Sequence, residues 1–160
     1  MKNSACFIGN KLYNDKDKIE LHLYYTIYGL IKKHITNFIF GDNTEFVESC
    51  YNAVTKLIEN KNSVNRISFL SNDNHNFYFE ENYFPENSIK TVKIDSFEKN
   101  CLMIDESTVC IFYYDYSFDN NERIIKSSLR YANKKQKPII NVFENYNIPF
   151  IWHLKFMSNF

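Results

Sequence analysis

The chain has 160 residues, and its 19 Lys and Arg balance its 19 Asp and Glu, so its formal net charge is zero. This length fits one ordinary domain, which buries enough apolar surface to fold without disulfides or a metal. The balanced charge gives no strong signal for nucleic acid and none for an anionic membrane surface.

The four cysteines are spread along the chain without a disulfide or metal pattern. Cys6, Cys50, Cys101 and Cys110 form no CxxC pair, and no Cys or His lies at zinc-ligand spacing to another. The first apolar run is too short for a signal peptide, and no apolar stretch approaches the roughly 18 residues of a membrane span. We therefore expect free thiols, a cytoplasmic location, no metal, no cofactor and no membrane contact.

Strands and helices are predicted to alternate along the chain. Short apolar runs predict strands at 4–8, 37–40, 66–70, 108–114 and 138–143, with a further short strand at 91–94. Apolar residues three or four positions apart predict helices after Lys16, Thr44, Ser96 and Asn121. The third helix is expected to turn Phe97, Cys101, Leu102 and Ile104 inward.

This alternation predicts an α/β fold built of βαβ units. We expect a single three-layer Rossmann-like domain at 1–147, with a mostly parallel sheet of about five strands flanked by helices. Residues 148–160 form an apolar tail that packs either on this domain or at an interface. The aromatic segment 77–84 is a second candidate for a homodimer or protein contact.

The loops after the strands are the expected ligand site, because open parallel sheets bind ligands beyond their strand carboxyl ends. Glycine after a strand allows a close backbone approach, and the helix start that follows favours an anion. Gly9 and Gly41 stand at such positions. The alternative is that these two glycines make tight turns and that Lys11 is a solvated surface residue. The candidate binding residues from these loops are Gly9, Asn10, Lys11, Gly41, Asp42, Ser71, Ser117, Asn120 and Asn121.

Familiar catalytic and phosphate-binding motifs are missing from the sequence. It contains no GxGxxG and no Walker A loop, which argues against an ordinary dinucleotide dehydrogenase or P-loop NTPase. The four histidines share no Ser/His/Asp or Cys/His set in the presumed crevice, so we assign no catalytic residue and no metal ligand.

A series of short motifs runs from Cys6-Phe-Ile-Gly-Asn-Lys11 near the start of the chain to Tyr131–Val142 near its end. Their order resembles the SLOG superfamily of small bacterial Rossmann-like proteins, which also contains DprA and the LOG enzymes. The first segment, from Cys6 to Lys11, looks like the "CFTGHR" start of one branch of that family. Further motifs follow in the family's order: Phe38 to Gly41 before Phe46, Tyr83 to Glu86, Lys99-Asn100 before Met103-Ile104, Ser107 to Tyr114, and Tyr131 to Val142.

The resemblance implies a nucleotide or nucleotide-derived ligand, in bacterial or phage conflict or signalling, and adds Phe46 and Asn100 to the binding residues. The LOG motifs "GGGxxGxMG" and "PGGxGTxxE" have no counterpart in this chain. The leading hypothesis is therefore a binding module for a nucleotide-like small molecule. The alternatives are a protein–protein scaffold with a vestigial pocket, contacting its partner through 77–84 or 148–160, and a weak nucleoside or nucleotide hydrolase.

Overall fold

Strands and helices alternate in the structure, a computed structural model that describes residues 2–12, 16–58, 64–69, 96–116 and 123–145. The elements in chain order are β1 (Ser4–Gly9), α1 (Lys16–Lys32), β2 (Asn37–Phe40), α2 (Glu45–Ile58), β3 (Asn65–Ser68), α3 (Ser96–Glu106), β4 (Val109–Tyr113), α4 (Arg123–Lys134), β5 (Ile139–Asn141) and α5 (Val142–Asn145).

The five described strands form one sheet in the order β3-β2-β1-β4-β5, and every pair of neighbours is parallel. The chain adds strands on one side of β1 as far as β3 and then crosses over to place β4 on the other side. Parallel neighbours require such helical crossovers, which here cover both faces of the sheet. The prediction of a Rossmann-like α/β domain is confirmed.

Two apolar layers hold the helices on the sheet. Phe7, Phe38 and Phe40 face α1 and α2, and the Phe7 ring stacks on the other two at centroid distances of 5.9 and 5.1 Å. The alternate residues of β1, Cys6 and Ile8, face α3 and α4. A strand covered on both faces must be apolar at every position, which is why β1 is a continuous apolar run without polar alternation.

The buried face of α3 differs from the prediction. Cys101 is half-buried and Leu102 is 40% exposed, whereas Lys99 and Asn100 are buried one turn before Met103. Both buried polar residues have hydrogen-bond partners on other parts of the chain, and these bonds offset the cost of removing them from water. The predicted inward positions of Cys101 and Leu102 were therefore wrong.

The last strand ends earlier than predicted, at Asn141, because the side chain of this residue takes over the pairing. Its Nδ2 donates to the carbonyl oxygen of Tyr114 at 2.9 Å, and its Oδ1 accepts the Tyr114 N–H at 3.1 Å. The same Oδ1 accepts the N–H of Phe143 at 3.3 Å, inside α5. At Asn141 the side-chain amide makes hydrogen bonds to β4 and its continuation in place of the backbone, and the chain turns there into the short helix α5.

The carboxyl ends of α3 and α4 are joined through Asp105. Tyr131 donates to its Oδ2 at 2.8 Å, and the Lys135 ammonium lies 3.1 Å from its Oδ1. Burial opposes ionisation of this carboxyl, but the bonds from Tyr131 and Lys135 outweigh it and lower the pKa of Asp105.

Several predictions lie outside the described residues: the short strand at 91–94, the aromatic segment 77–84 and the tail 148–160. Among the helices that are described, none combines the length and apolar character that a membrane crossing requires.

Candidate functional site

A cavity of about 220 Å³ lies beyond the carboxyl ends of β1 and β2. It adjoins the border between β1 and β4, where the strand order reverses, which is the usual ligand position in an open parallel sheet. The N-terminal turns of α3 and α4 complete its described walls. The residues that line it are Phe7, Ile8, Gly9, Asn10, Gly41, Asp42, Thr44, Val47, Ser96, Asn100, Ile124 and Ile125.

Five of the predicted binding residues meet at this cavity: Gly9, Asn10, Gly41, Asp42 and Asn100.

Six other predicted binding residues are not among its described walls. Lys11 is exposed and Phe46 is fully buried, and neither lines the cavity. The remaining four lie outside the described residues: Ser71, Ser117, Asn120 and Asn121.

Gly9 is required by the packing of the protein's own side chains. A Cβ at this position would lie 2.8 Å from Cγ of Phe46 and 3.0 Å from Cβ of Tyr113. The rings of Phe46 and Tyr113 stack at a centroid distance of 5.5 Å beneath the cavity. Neither Gly9 nor Gly41 has a positive φ, so close approach, and not an unusual backbone conformation, explains both glycines.

The N-terminus of α2 is occupied by protein acceptors. Thr44 caps the helix: its Oγ1 accepts the Val47 N–H at 3.3 Å and donates to the carbonyl oxygen of Gly9 at 2.9 Å. The Phe46 N–H donates to the carbonyl oxygen of Asn10 at 3.1 Å. Free N–H groups make a helix start an anion site, and these two are already bonded. The loop after β1 is thereby fixed to α2, and the N–H groups of Phe46 and Val47 are not available to an anion.

A buried ion pair lies beside the cavity. The Lys99 ammonium, on a side chain that is 1% exposed, donates to Oδ1 of Asp42, whose side chain is 26% exposed and lines the cavity. A buried ammonium needs a compensating charge, which Asp42 supplies. Lys99 is a residue of the site that the sequence did not predict. The available signal was its position one turn before Met103, on the same helix face.

Asn100 is the second buried polar residue of α3 at the cavity. Its Nδ2 donates to Oγ of Ser128 on α4 at 3.0 Å, and Ser128 Oγ donates to the carbonyl oxygen of Ile124 at 2.7 Å. This chain of hydrogen bonds joins the two helices that complete the cavity walls.

The cavity walls carry polar groups but little that is typical of catalysis. Among its described lining residues there is no histidine and no cysteine. Within the part of the chain that the structure describes, no three His, Cys, Asp or Glu side chains lie close enough to hold a metal ion. What the described walls offer is a carboxylate, two amides and the hydroxyl groups of Thr44 and Ser96, of which the Thr44 hydroxyl is already bonded within the protein.

The cysteines lie away from this cavity and all four are free thiols. Cys6 and Cys110 are buried and directly opposite each other on β1 and β4. The hydrogen bond that the Cys110 thiol donates to Cys6, together with burial, raises the pKa of Cys110 far above its ordinary value. Burial alone raises the pKa of Cys50. These thiols are parts of the core.

A second cavity, of about 250 Å³, lies between α1 and α2. Its lining includes Glu20, Tyr24, Asn52 and Lys56, and it includes none of the predicted binding residues. Although this cavity is larger, it lies between two helices and not at the strand ends. We therefore take the cavity at the strand ends as the candidate site.

The sequence matches none of the known protein families with which it was compared. It also has no significant match among curated proteins.

Proposed function

We propose that the protein is a binding module for a nucleotide or nucleotide-derived small molecule, bound at the cavity beyond β1 and β2. One observation carries this proposal: Asn10, Asp42 and Asn100, from separate parts of the chain, line one cavity at the strand ends. The motif order that resembles the SLOG superfamily favours a role in bacterial or phage signalling or conflict. The free cysteines fit a reducing cytoplasm.

The chemistry of the walls suits the sugar or base of such a ligand. A carboxylate after the second strand of a Rossmann-type sheet can accept hydrogen bonds from ribose hydroxyls, and Asp42 is the second residue after β2. Ile124 and Ile125 supply an apolar wall against which a base or sugar ring can pack. The cavity of about 220 Å³ is smaller than the roughly 300–1,000 Å³ of drug-sized sites, so we place one part of the ligand in it.

Thermal unfolding in the presence of nucleosides and nucleotides tests this proposal. A ligand at 100 times its dissociation constant stabilises the folded state by about 2.7 kcal/mol, which raises Tm by roughly 5–10 °C for a chain of this size. No shift with any member of the panel at millimolar concentration would contradict the proposal.

A pair of matched variants locates the site. Asn10 and Asn52 are both exposed asparagines, and each lines a different one of the two cavities. We expect Asn10→Trp to abolish the ligand-induced shift, because the indole covers the cavity at the strand ends. Asn52→Trp makes the same chemical change between α1 and α2 and should leave the shift intact. The opposite result would assign the ligand to the other cavity.

An interaction scaffold is the second candidate function, and the outer face of α1 favours it. Leu21, Tyr25 and Tyr28 lie on one side of this helix and are 57%, 37% and 40% exposed. Exposed aromatic residues in a row are typical of protein interfaces. Light scattering of the protein and of its Leu21→Ser and Tyr28→Ser variants tests this candidate. A wild-type dimer that both variants dissociate would support it, and a monomer would count against self-association.

A further inference from the structure

The hydrogen-bond chain at Asn100 has a fixed direction. The Ser128 hydroxyl has one hydrogen, and it points to the carbonyl oxygen of Ile124, 2.7 Å away. A carbonyl oxygen cannot donate, so this hydrogen is committed to that bond. Toward Asn100, 3.0 Å away, Ser128 can therefore only accept, and the amide must turn its Nδ2 to Ser128.

This orientation determines what Asn100 offers to a ligand. One Nδ2 hydrogen bonds to Ser128, and this bond turns the single acceptor of the amide, Oδ1, to the branch away from Ser128. The second Nδ2 hydrogen stays on the Ser128 side of the amide. Ser128 is 0% exposed, so no solvent molecule competes for its hydroxyl. Asp42 lines the same cavity with an acceptor-only carboxylate, and the charge of Lys99 is already paired with it. Two side chains of the wall thus present acceptors.

We propose that Ser128 is a positioning residue that makes Asn100 a hydrogen-bond acceptor, and that the ligand donates a hydroxyl or amino hydrogen to Asn100 Oδ1. This inference rests on the proposed function and names the ligand chemistry read by that site. A site that accepts from a ligand donor discriminates against an analogue that lacks it, because the acceptor is then left unpaired. We expect about tenfold weaker binding of that analogue, as for the loss of one neutral hydrogen bond.

Calorimetric titration with donor-deleted nucleosides tests the inference. The probes are adenosine and guanosine, their 2′-deoxy and 3′-deoxy forms, and purine riboside and inosine, which each lack one amino group. We expect one deletion to weaken binding to the wild-type protein about tenfold. The quantity compared between variants is the ratio of the dissociation constant of the analogue to that of its parent nucleoside. In Asn100→Leu this ratio should fall to near one. In Ser128→Ala the released amide can turn, so the ratio should fall at least about threefold.

Two control variants separate positioning from loss of structure. Ser127→Ala changes the neighbouring residue, which does not line the cavity, and should keep the wild-type ratio. Ser128→Thr retains a hydroxyl and should restore the discrimination that Ser128→Ala loses. A general weakening of the fold would lower the affinity for parent and analogue alike, and so leave the ratio unchanged.

The outcomes distinguish this inference from the proposed function. If nucleosides bind but no deletion matters, or if Ser128→Ala keeps the wild-type ratio, the inference is wrong and nucleoside binding stands. If no nucleoside and no nucleotide binds, both are wrong. Should Ser128→Ala not fold, hydrogen exchange of the Asn100 side-chain amide in the ligand-free wild-type protein decides, because only Ser128 can then protect it. Protected Nδ2 protons agree with the inference, and freely exchanging ones overturn it.

Discussion

The ion pair of Asp42 and Lys99 predicts an asymmetric response to neutralising its two members. The Lys99 side chain is 1% exposed and that of Asp42 is 26% exposed. Asp42→Asn removes the counter-charge that the described residues supply to an ammonium group on a side chain that is 1% exposed. Lys99→Met leaves a carboxylate that solvent can still hydrate. The first substitution should therefore destabilise the protein far more than the second.

The burial of each group sets the expected magnitudes. Removing one partner of a buried ion pair costs about 3–5 kcal/mol when the remaining charge stays buried. Asp42→Asn should accordingly lower Tm by roughly 6–20 °C, at about 2–4 °C per kcal/mol for a chain of this size. Lys99→Met should cost about 1 kcal/mol or less, as for a solvated pair. The double variant removes both charges and should lie within about 1 kcal/mol of the wild-type protein.

Urea denaturation of the four proteins measures these free energies of unfolding as a double-mutant cycle. The decisive observation is rescue: adding Lys99→Met to Asp42→Asn should restore most of the lost stability. If the double variant is as unstable as Asp42→Asn alone, the cost does not come from a stranded ammonium. If the two single variants lose the same free energy of unfolding, the difference in burial between Lys99 and Asp42 does not determine the effect of each substitution.

Two further predictions concern packing and pH. Gly9→Ala should cost about 1–3 kcal/mol in urea denaturation, because the new methyl group overlaps the confined ring of Phe46. Gly41→Ala should cost less, because the nearest atom to its new methyl is the flexible Met103 Sδ at 2.9 Å, and equal costs would contradict this reason. Asp105 has a lowered folded pKa, so its stabilisation is present above its unfolded value of about 4 and disappears as pH falls through the folded value. The stability difference between wild type and Asp105→Asn, at most about 1 kcal/mol for so exposed a pair, should therefore vanish in acid.

The sheet could be predicted because local pattern determines it. The buried parallel strands are short apolar runs; the first ends at Gly9 and the second is followed by Gly41. Thr44 could be recognised as a helix cap from its residue type and from the helical pattern that follows it. Alternation of strands and helices then limits the topology to very few arrangements.

The hydrogen-bond partners of the polar site residues could not be predicted, because those partners are distant in sequence. Lys99 bonds to a residue 57 positions away, and Asn100 to one 28 positions away. Amphipathic pattern alone places such residues on the outer face of α3, and so it misassigned Leu102. The sequence also could not show why residue 9 is glycine. A tight turn, a closely bound ligand and the packed ring of Phe46 would each exclude a side chain at this position.

These facts change where ligand recognition should be sought in this fold. Glycine after the first strand and a helix start beside it are the usual means of binding phosphate. Here Gly9 accommodates Phe46, and the N–H of Phe46 bonds to the carbonyl oxygen of Asn10. Because the Phe46 N–H is engaged within the protein, we expect side chains to contribute to selectivity at this end of the cavity. The side chains with fixed orientation are Asp42 and Asn100, each held by a buried partner. Substitutions of those partners should therefore alter which ligand binds, even though neither partner lines the cavity.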